Sequence, residues 1–264
     1  MAVFTDLSDA DCQRIATAYR LGRLTSVIGI ADGNAETTFL FRSERGEFIV
    51  TLFESGAEPF DLERAFCTME MLIGAGVPCP LTFRTDAGAA TITVSGKLVA
   101  VVGFVPGSRA GEITPDKCHA LGACAARIHR TLQRPARTGP QGLRKGGVHG
   151  ALNRDNVFFV GEAMGGVINF RLRHDDVLIA ELAQLLVTWT GLADGTLDRT
   201  LARSLLAGYE EIRPPSDSEL HALPAFVMAA TATSVVQDDR LAEVEVEAHR
   251  AFLSARDCIG KAQR

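Results

Sequence analysis

Near Pro106 the hydrophobic pattern of this chain changes its period. Before it, short apolar runs alternate with glycine turns; beyond it, apolar residues recur at three- and four-residue steps. The first stretch predicts strands over Leu24 to Ala31, Thr37 to Ser43, Phe48 to Phe53, Ala90 to Val94 and Lys97 to Val105. Ser8 is placed to cap a leading helix carrying Cys12, Ile15, Ala16 and Tyr19 and ended by Gly22. Between the third and fourth strands, Leu62, Ala65, Phe66, Met69, Leu72 and Ile73 mark one face of a helix over Asp61 to Ile73. In the second stretch Pro115 to Leu132, Leu178 to Trp189, Leu197 to Ile212, Ser218 to Val236 and Arg240 to Arg256 read as helices. Two short apolar runs, Val157 to Val160 and Val167 to Phe170, interrupt them. The connection from Arg134 to Gly147, rich in Gly, Pro and Arg, reads as a loop. The result is an α+β chain in two parts: a five-stranded antiparallel lobe over 1–105 and a mainly helical lobe over 106–264.

Composition narrows the classes of function. Twenty-seven Lys and Arg against 32 Asp and Glu leave a formal charge of −5, without the basic footprint of a nucleic-acid binder. No window of about 18 uninterrupted apolar residues appears, and the N-terminus lacks a basic stretch ahead of an apolar run. These features predict neither a membrane nor a nucleic-acid partner. Six cysteines without a C-x-x-C pair predict reduced thiols and a cytoplasmic setting rather than a disulfide frame or zinc site.

Two segments carry candidate chemistry. Gly29 and Gly33, on either side of Ile30-Ala31-Asp32, lie where backbone amides can approach a phosphate closely, although an ordinary hairpin turn is the commoner meaning. His149-Gly150-Ala151-Leu152-Asn153-Arg154-Asp155-Asn156 runs directly into the apolar Val157-Phe158-Phe159, and Val167-Ile168-Asn169-Phe170 follows. A His, a Leu three places on and an Asn four further form an uncommon pattern. It has the order and spacing of a kinase-type catalytic loop followed by its metal-binding strand. Arg130, Arg134, Arg137, Arg144 and Lys145 gather around the intervening loop, as a solvated connection or as an anion-attracting one. His119 and His129 on the Pro115 helix read as partly buried or capping, and Cys118 and Cys124 beside them as core thiols.

Over nearly its whole length the sequence resembles the aminoglycoside-phosphotransferase and choline-kinase superfamily, and within it the type II homoserine kinases. The segments carrying the likeness are MAVFTDLSDAD, LGRLTSVIGIADG, RGEFIVTLFE, MEMLIGAGVPCP, VVGFVPG, HGALNRDNVFF with GGVINF, LLAGYEEIRP and LHALPAFVMAA. The resemblance implies a two-lobed protein-kinase-like fold. It also implies ATP with Mg²⁺, and transfer of the γ-phosphate to the hydroxyl of a small molecule, homoserine in this branch, on the route to threonine. Gly29, Gly33, Thr51 and Glu70 then stand at nucleotide-side positions, with Thr51 where protein kinases carry a lysine and Glu70 matching the helix glutamate. His149 and Asn156 keep their places in the loop, Asn156 as a magnesium ligand. Glu181 replaces the acid that braces the loop, and Asp176 ties down the segment after the metal strand.

The departures from that pattern are chemical. Ala151 occupies the position of the aspartate that accepts the proton of the attacking hydroxyl. General-base assistance is worth about 10²–10⁴ in rate, on the order of 3–5 kcal/mol of barrier. Asn169 occupies the position of the aspartate that anchors Mg²⁺, a hard cation normally held by at least one carboxylate. Asp155, beside Asn156, points into the loop's own hydrogen bonding in the family's arrangement and is a poor substitute. Glu36 near the glycine turn brings a negative charge toward triphosphate oxygens. The stretch from His129 to His149 is shorter than in relatives, where extra helices wall the acceptor pocket. The expected outcome is an inactive or strongly impaired kinase-like protein that binds a small molecule or serves a protein partner. The alternative is a working phosphotransferase with substitute residues.

Overall fold

The computed structural model describes residues 5–30, 36–138 and 142–260, and these form two compact units. The first comprises 1–74 and 79–105, the second 75–78 and 106–264. The first opens with helix α1 (Asp9–Ala18). The Ser8 hydroxyl accepts from the Asp11 amide, and Asp11 reaches back to the Ser8 amide, a reciprocal cap that satisfies two orphan donors. Its strands are β1 (Leu24–Ile30), β2 (Glu36–Ser43), β3 (Gly46–Phe53), β4 (Thr82–Phe83), β5 (Thr91–Val94) and β6 (Lys97–Gly103), with helix α2 (Pro59–Gly74) between β3 and β4. They form one antiparallel sheet in the order β1-β2-β3-β6-β4, with β5 also on β6. The five strands predicted from sequence are therefore joined by a sixth. Two residues of β4, directly after Val77-Pro78-Cys79-Pro80, are too few to show a period.

Alternation decides which face of this sheet is covered. Phe48, Val50 and Leu52 of β3 and Val99 and Val101 of β6 pack with Ile15 and Ala16 of α1, with Tyr19 just after it and with Phe41 of β2. The Tyr19 hydroxyl, buried among them, lies within hydrogen-bond reach of the carbonyls of Val99 (2.8 Å) and Ala90 (3.0 Å). The β5–β6 hairpin turns on Ser95 and Gly96, both at positive φ; the tight two-residue reversal asks for that conformation.

The second unit holds helices α3 (Pro115–Leu132), α4 (Leu178–Thr190), α5 (Arg199–Ile212), α6 (Asp217–Gln237) and α7 (Val244–Ile259). Thr114 caps α3, and Pro115 sits at its first turn, where a missing N–H costs nothing. α3 and α5 pack backbone to backbone: a Cβ on Gly122 would fall on the Leu205 carbonyl, and one on Gly208 on that of His119. Among the described residues, α6 is the one helix long and apolar enough by length and composition to cross a membrane. It packs against α4 and α7 and carries the buried Glu219.

Two small sheets complete the unit. β7 (Ser108–Arg109), β10 (Val157–Val160) and β11 (Ala163–Val167) form one, and β8 (Gln133–Thr138), β9 (Arg144–Val148) and β12 (His174–Val177) the other. The segment from Arg134 to Gly147, expected as a loop, thus supplies two strands. Its glycines are the reason: a Cβ on Gly146 would come within 2.7 Å of the Leu132 carbonyl oxygen, and one on Gly147 within 2.6 Å of the Arg173 guanidinium. Bare backbone makes this sheet, so side-chain alternation gives no sign of it.

Candidate active site

The segment between β9 and β10, residues 149–156, is fixed from several sides. His149 is buried, its Nε2 lies 2.8 Å from the carbonyl of Ile168, and its Nδ1 accepts from the Ala151 amide at 3.2 Å. These two contacts define the tautomer: Nε2 carries the proton and Nδ1 the lone pair. The ring also meets Phe170 edge-on, centroids 4.8 Å apart. Burial holds the His149 pKa below the usual histidine value, against the opposing pull of the Glu181 charge and the Ile168 carbonyl. A neutral ring is what the Ala151 amide requires, since a second N–H would face it.

Glu181, on the first turn of α4, is buried beneath the loop and accepts from the amides of Gly150 (2.5 Å) and His149 (3.2 Å). His129 of α3 donates to the same carboxylate from Nε2 at 2.8 Å. The donor count then runs without a gap. The Tyr209 hydroxyl donates to His129 Nδ1 (2.7 Å), and Arg213 donates to the Tyr209 oxygen (2.9 Å). Arg213 also donates to Glu219 at 2.7 Å, whose other oxygen is held by Arg144 at the start of β9. Burial alone would raise the Glu181 pKa, but His129, His149 and the Gly150 amide bring it below the ordinary carboxylate value. The brace expected of Glu181 is present. Tyr209, Arg213 and Glu219 behind it escaped sequence analysis, and a lone histidine on the apolar face of α3 was their one visible sign.

The far end of the loop is held as firmly. Asn153 Oδ1 accepts from the amides of Asp155 (3.1 Å) and Asn156 (3.2 Å). The Leu152 carbonyl accepts from the indole of Trp189 at 2.8 Å, another contact not foreseen. Asn156, 9% exposed, donates from Nδ2 to the Ala151 carbonyl at 2.9 Å. Its backbone carbonyl accepts from Ile168 at 2.9 Å, tying the loop to the residue before Asn169. Asn169 itself is not the end of a buried strand, as the sequence had suggested. β11 stops at Val167, and Asn169 is exposed, at φ 73°, capping a short 3-10 turn without a side-chain hydrogen bond. Asn tolerates this left-handed backbone because its amide is short and polar.

The remaining predicted residues divide between the two units. Ala151 presents a half-buried methyl where a carboxylate was sought. Gly29 lies inside the β1–β2 ladder opposite Phe39, and a Cβ there would meet the Phe39 ring at an ordinary 3.8 Å, so neither turn nor close approach demands glycine. Gly33 lies outside the described residues. Thr51 sits mid-strand between Thr38 and Ala100. Glu70 is committed to Arg84 (2.7 Å) and Thr82 (3.0 Å), and Arg84 holds its pKa down. Asp155, largely exposed, faces Arg109 at 3.5 Å. Asp176 accepts from the adjoining Val177 amide. Of the loop arginines, Arg144 binds Glu219, Arg134 binds Asp175 (3.0 Å) and Arg130 the Ile212 carbonyl (3.3 Å). His119 meets Glu211 at 3.0 Å, and Cys118 and Cys124 are buried free thiols.

An antiparallel sheet unit, a helical unit and a histidine loop braced by a buried acid ahead of a β-hairpin define a kinase-like phosphotransferase fold. The sequence model of the phosphotransferase enzyme family (APH) matches residues 26–143. A homoserine kinase of Gluconacetobacter diazotrophicus is 32% identical, the alignment covering 87% of this chain and 85% of that protein. One of Xanthobacter autotrophicus is 31% identical over the same shares. Among solved structures, an aminoglycoside phosphotransferase from Alicyclobacillus acidocaldarius superposes with a TM-score of 0.73 at 13% identity, covering 99% of this chain and 98% of that one. A microcompartment-associated aminopropanol kinase gives 0.60 at 15% identity, with 97% of each chain covered. The chain belongs to the homoserine kinase family, and its residues 26–143 match the phosphotransferase enzyme family model.

Proposed function

We propose that this chain is a homoserine-kinase-like protein in which ATP-dependent phosphorylation of a small-molecule hydroxyl is lost or strongly impaired. The observation that carries this reading is a contrast within one loop. His149, Glu181, Asn156 and Trp189 hold the backbone in place, yet the residue so held, Ala151, ends in a methyl group. A methyl neither accepts a proton nor orients an alcohol by hydrogen bonding, so the loop fixes a position that supplies no general base. The closest replacement acid in sequence, Asp155, is turned to Arg109.

Phosphoryl transfer rests more on positioning and electrostatics than on proton removal. That favours residual turnover over none, and the intact loop is the ground for it. The acceptor class is a small alcohol, homoserine first, by likeness to the relatives, and ATP is the donor. The setting is cytoplasmic, with threonine supply as the corresponding route.

The test is a single-turnover assay of γ-phosphate transfer from ATP to homoserine. The reading predicts a rate far below the ~1–100 s⁻¹ typical of kinases. A rate within that range, abolished by Asn156→Ala, establishes a working phosphotransferase instead.

A further inference from the structure

The fold family implies a divalent cation, and the two residues at its positions here can be tested against one. The side-chain flip of Asn156 is fixed by chemistry: its bond to the Ala151 carbonyl must come from nitrogen, because an oxygen would face an oxygen. Oδ1 is therefore the atom left for a ligand. Asn169 is exposed, and its side chain makes no capping hydrogen bond to the 3-10 turn it precedes. Both donors are neutral amide oxygens. Magnesium surrenders its water reluctantly and is bound through carboxylates and phosphates. Among the described residues, no three His, Cys, Asp or Glu side chains lie close enough to hold a metal. The donor set does not fit Mg²⁺.

The backbone around it is nonetheless in order. The Ile168 amide is bonded to the Asn156 carbonyl and the Ile168 carbonyl to His149. Residue 169 is thereby anchored to the loop through its neighbour, in a left-handed conformation that aspartate, like asparagine, tolerates better than most residues. We propose that Asn156 and Asn169 form a latent divalent-cation site short of one charge. The wild-type chain holds neither Mg²⁺ nor Mn²⁺, with or without ATP, and the single change Asn169→Asp creates the site.

This deepens the reading of an impaired kinase, resting on it only for the identity of the loop, and its test needs no turnover. Mn²⁺ is titrated into the protein, with and without ATP, and followed by the electron paramagnetic resonance signal of the free ion. The wild type is expected to deplete that signal no more than ATP alone does. Asn169→Asp is expected to bind Mn²⁺ at least ~10-fold more tightly, and Asn156→Ala in that background to reverse the gain, on the scale seen when metal-site partners are removed. Mn²⁺ retention by the wild type overturns the proposal, as does an Asn169→Asp variant no better than wild type. Fast phosphoryl transfer without Mn²⁺ retention contradicts the reading of function alone. Retention without transfer contradicts this inference alone.

Discussion

At the scale of single residues, His149 and Glu181 carry the most constrained chemistry. The two bonds of the His149 ring demand the Nε2–H tautomer, and burial favours the uncharged form. Proton–nitrogen correlation NMR should therefore show that tautomer, with a titration midpoint below the ordinary histidine value of ~6.5. A midpoint at or above it contradicts the geometry. The sign for stability follows. The unfolded chain takes up a proton on His149 near pH 6.5 while the folded chain resists it, so stability falls as pH drops from that value toward the folded midpoint. Glu181, depressed in the folded state, adds a loss in the same direction below ~4.5. Denaturant midpoints measured from pH 7 to pH 4 should decline throughout, and a rise on acidification argues against a neutral His149. Removing the brace itself is costly: Glu181→Ala leaves His129 and two amides unpaired, a loss of about 3 kcal/mol by equilibrium unfolding.

At the scale of elements, the α3–α5 crossing depends on two missing side chains. Gly122→Ala or Gly208→Ala pushes a methyl onto a carbonyl of the facing helix and is expected to cost about 3 kcal/mol, read as a lower thermal midpoint. Gly74, at the end of α2, has nothing within 4 Å of a would-be Cβ and no positive φ, so Gly74→Ala should raise stability by about 0.5 kcal/mol. Equal effects at the two kinds of site would deny the close approach.

These elements also show what could be read in advance. α1 and α3 carried their signals locally: Ser8 ahead of one apolar face, and Pro115 ahead of another. The sheet of β8, β9 and β12 did not, because glycine backbone and paired charges build it from a stretch that looks like a solvated loop. The loop at 149–156 was legible through its spacing and its family likeness. The chain of Tyr209, Arg213, Glu219 and Arg144 behind it was not, since each link joins residues far apart in sequence and none has a local pattern. Asn169 was placed in the wrong local structure. An apolar Val167-Ile168 pair reads as strand, whereas the ladder ends at Val167 and the next polar residue turns out to solvent.

At the scale of the whole molecule, fold and chemistry come apart. The helical unit keeps a buried, fully partnered polar chain under a loop that offers a methyl and two neutral amides. Such a chain is costly to leave half satisfied, which explains why the loop keeps its shape with a methyl at position 151. The most direct measurement is the rate of phosphate transfer from ATP to homoserine by the wild type and by the Ala151→Asp/Asn169→Asp double variant, side by side. The expected result is a wild-type rate far below ~1 s⁻¹ and an increase of at least about tenfold in the double variant. That gain is expected to stay short of the ~1–100 s⁻¹ typical of kinases, since only two side chains are changed. A wild type that turns over at ~1–100 s⁻¹, with the double variant no faster, would contradict it.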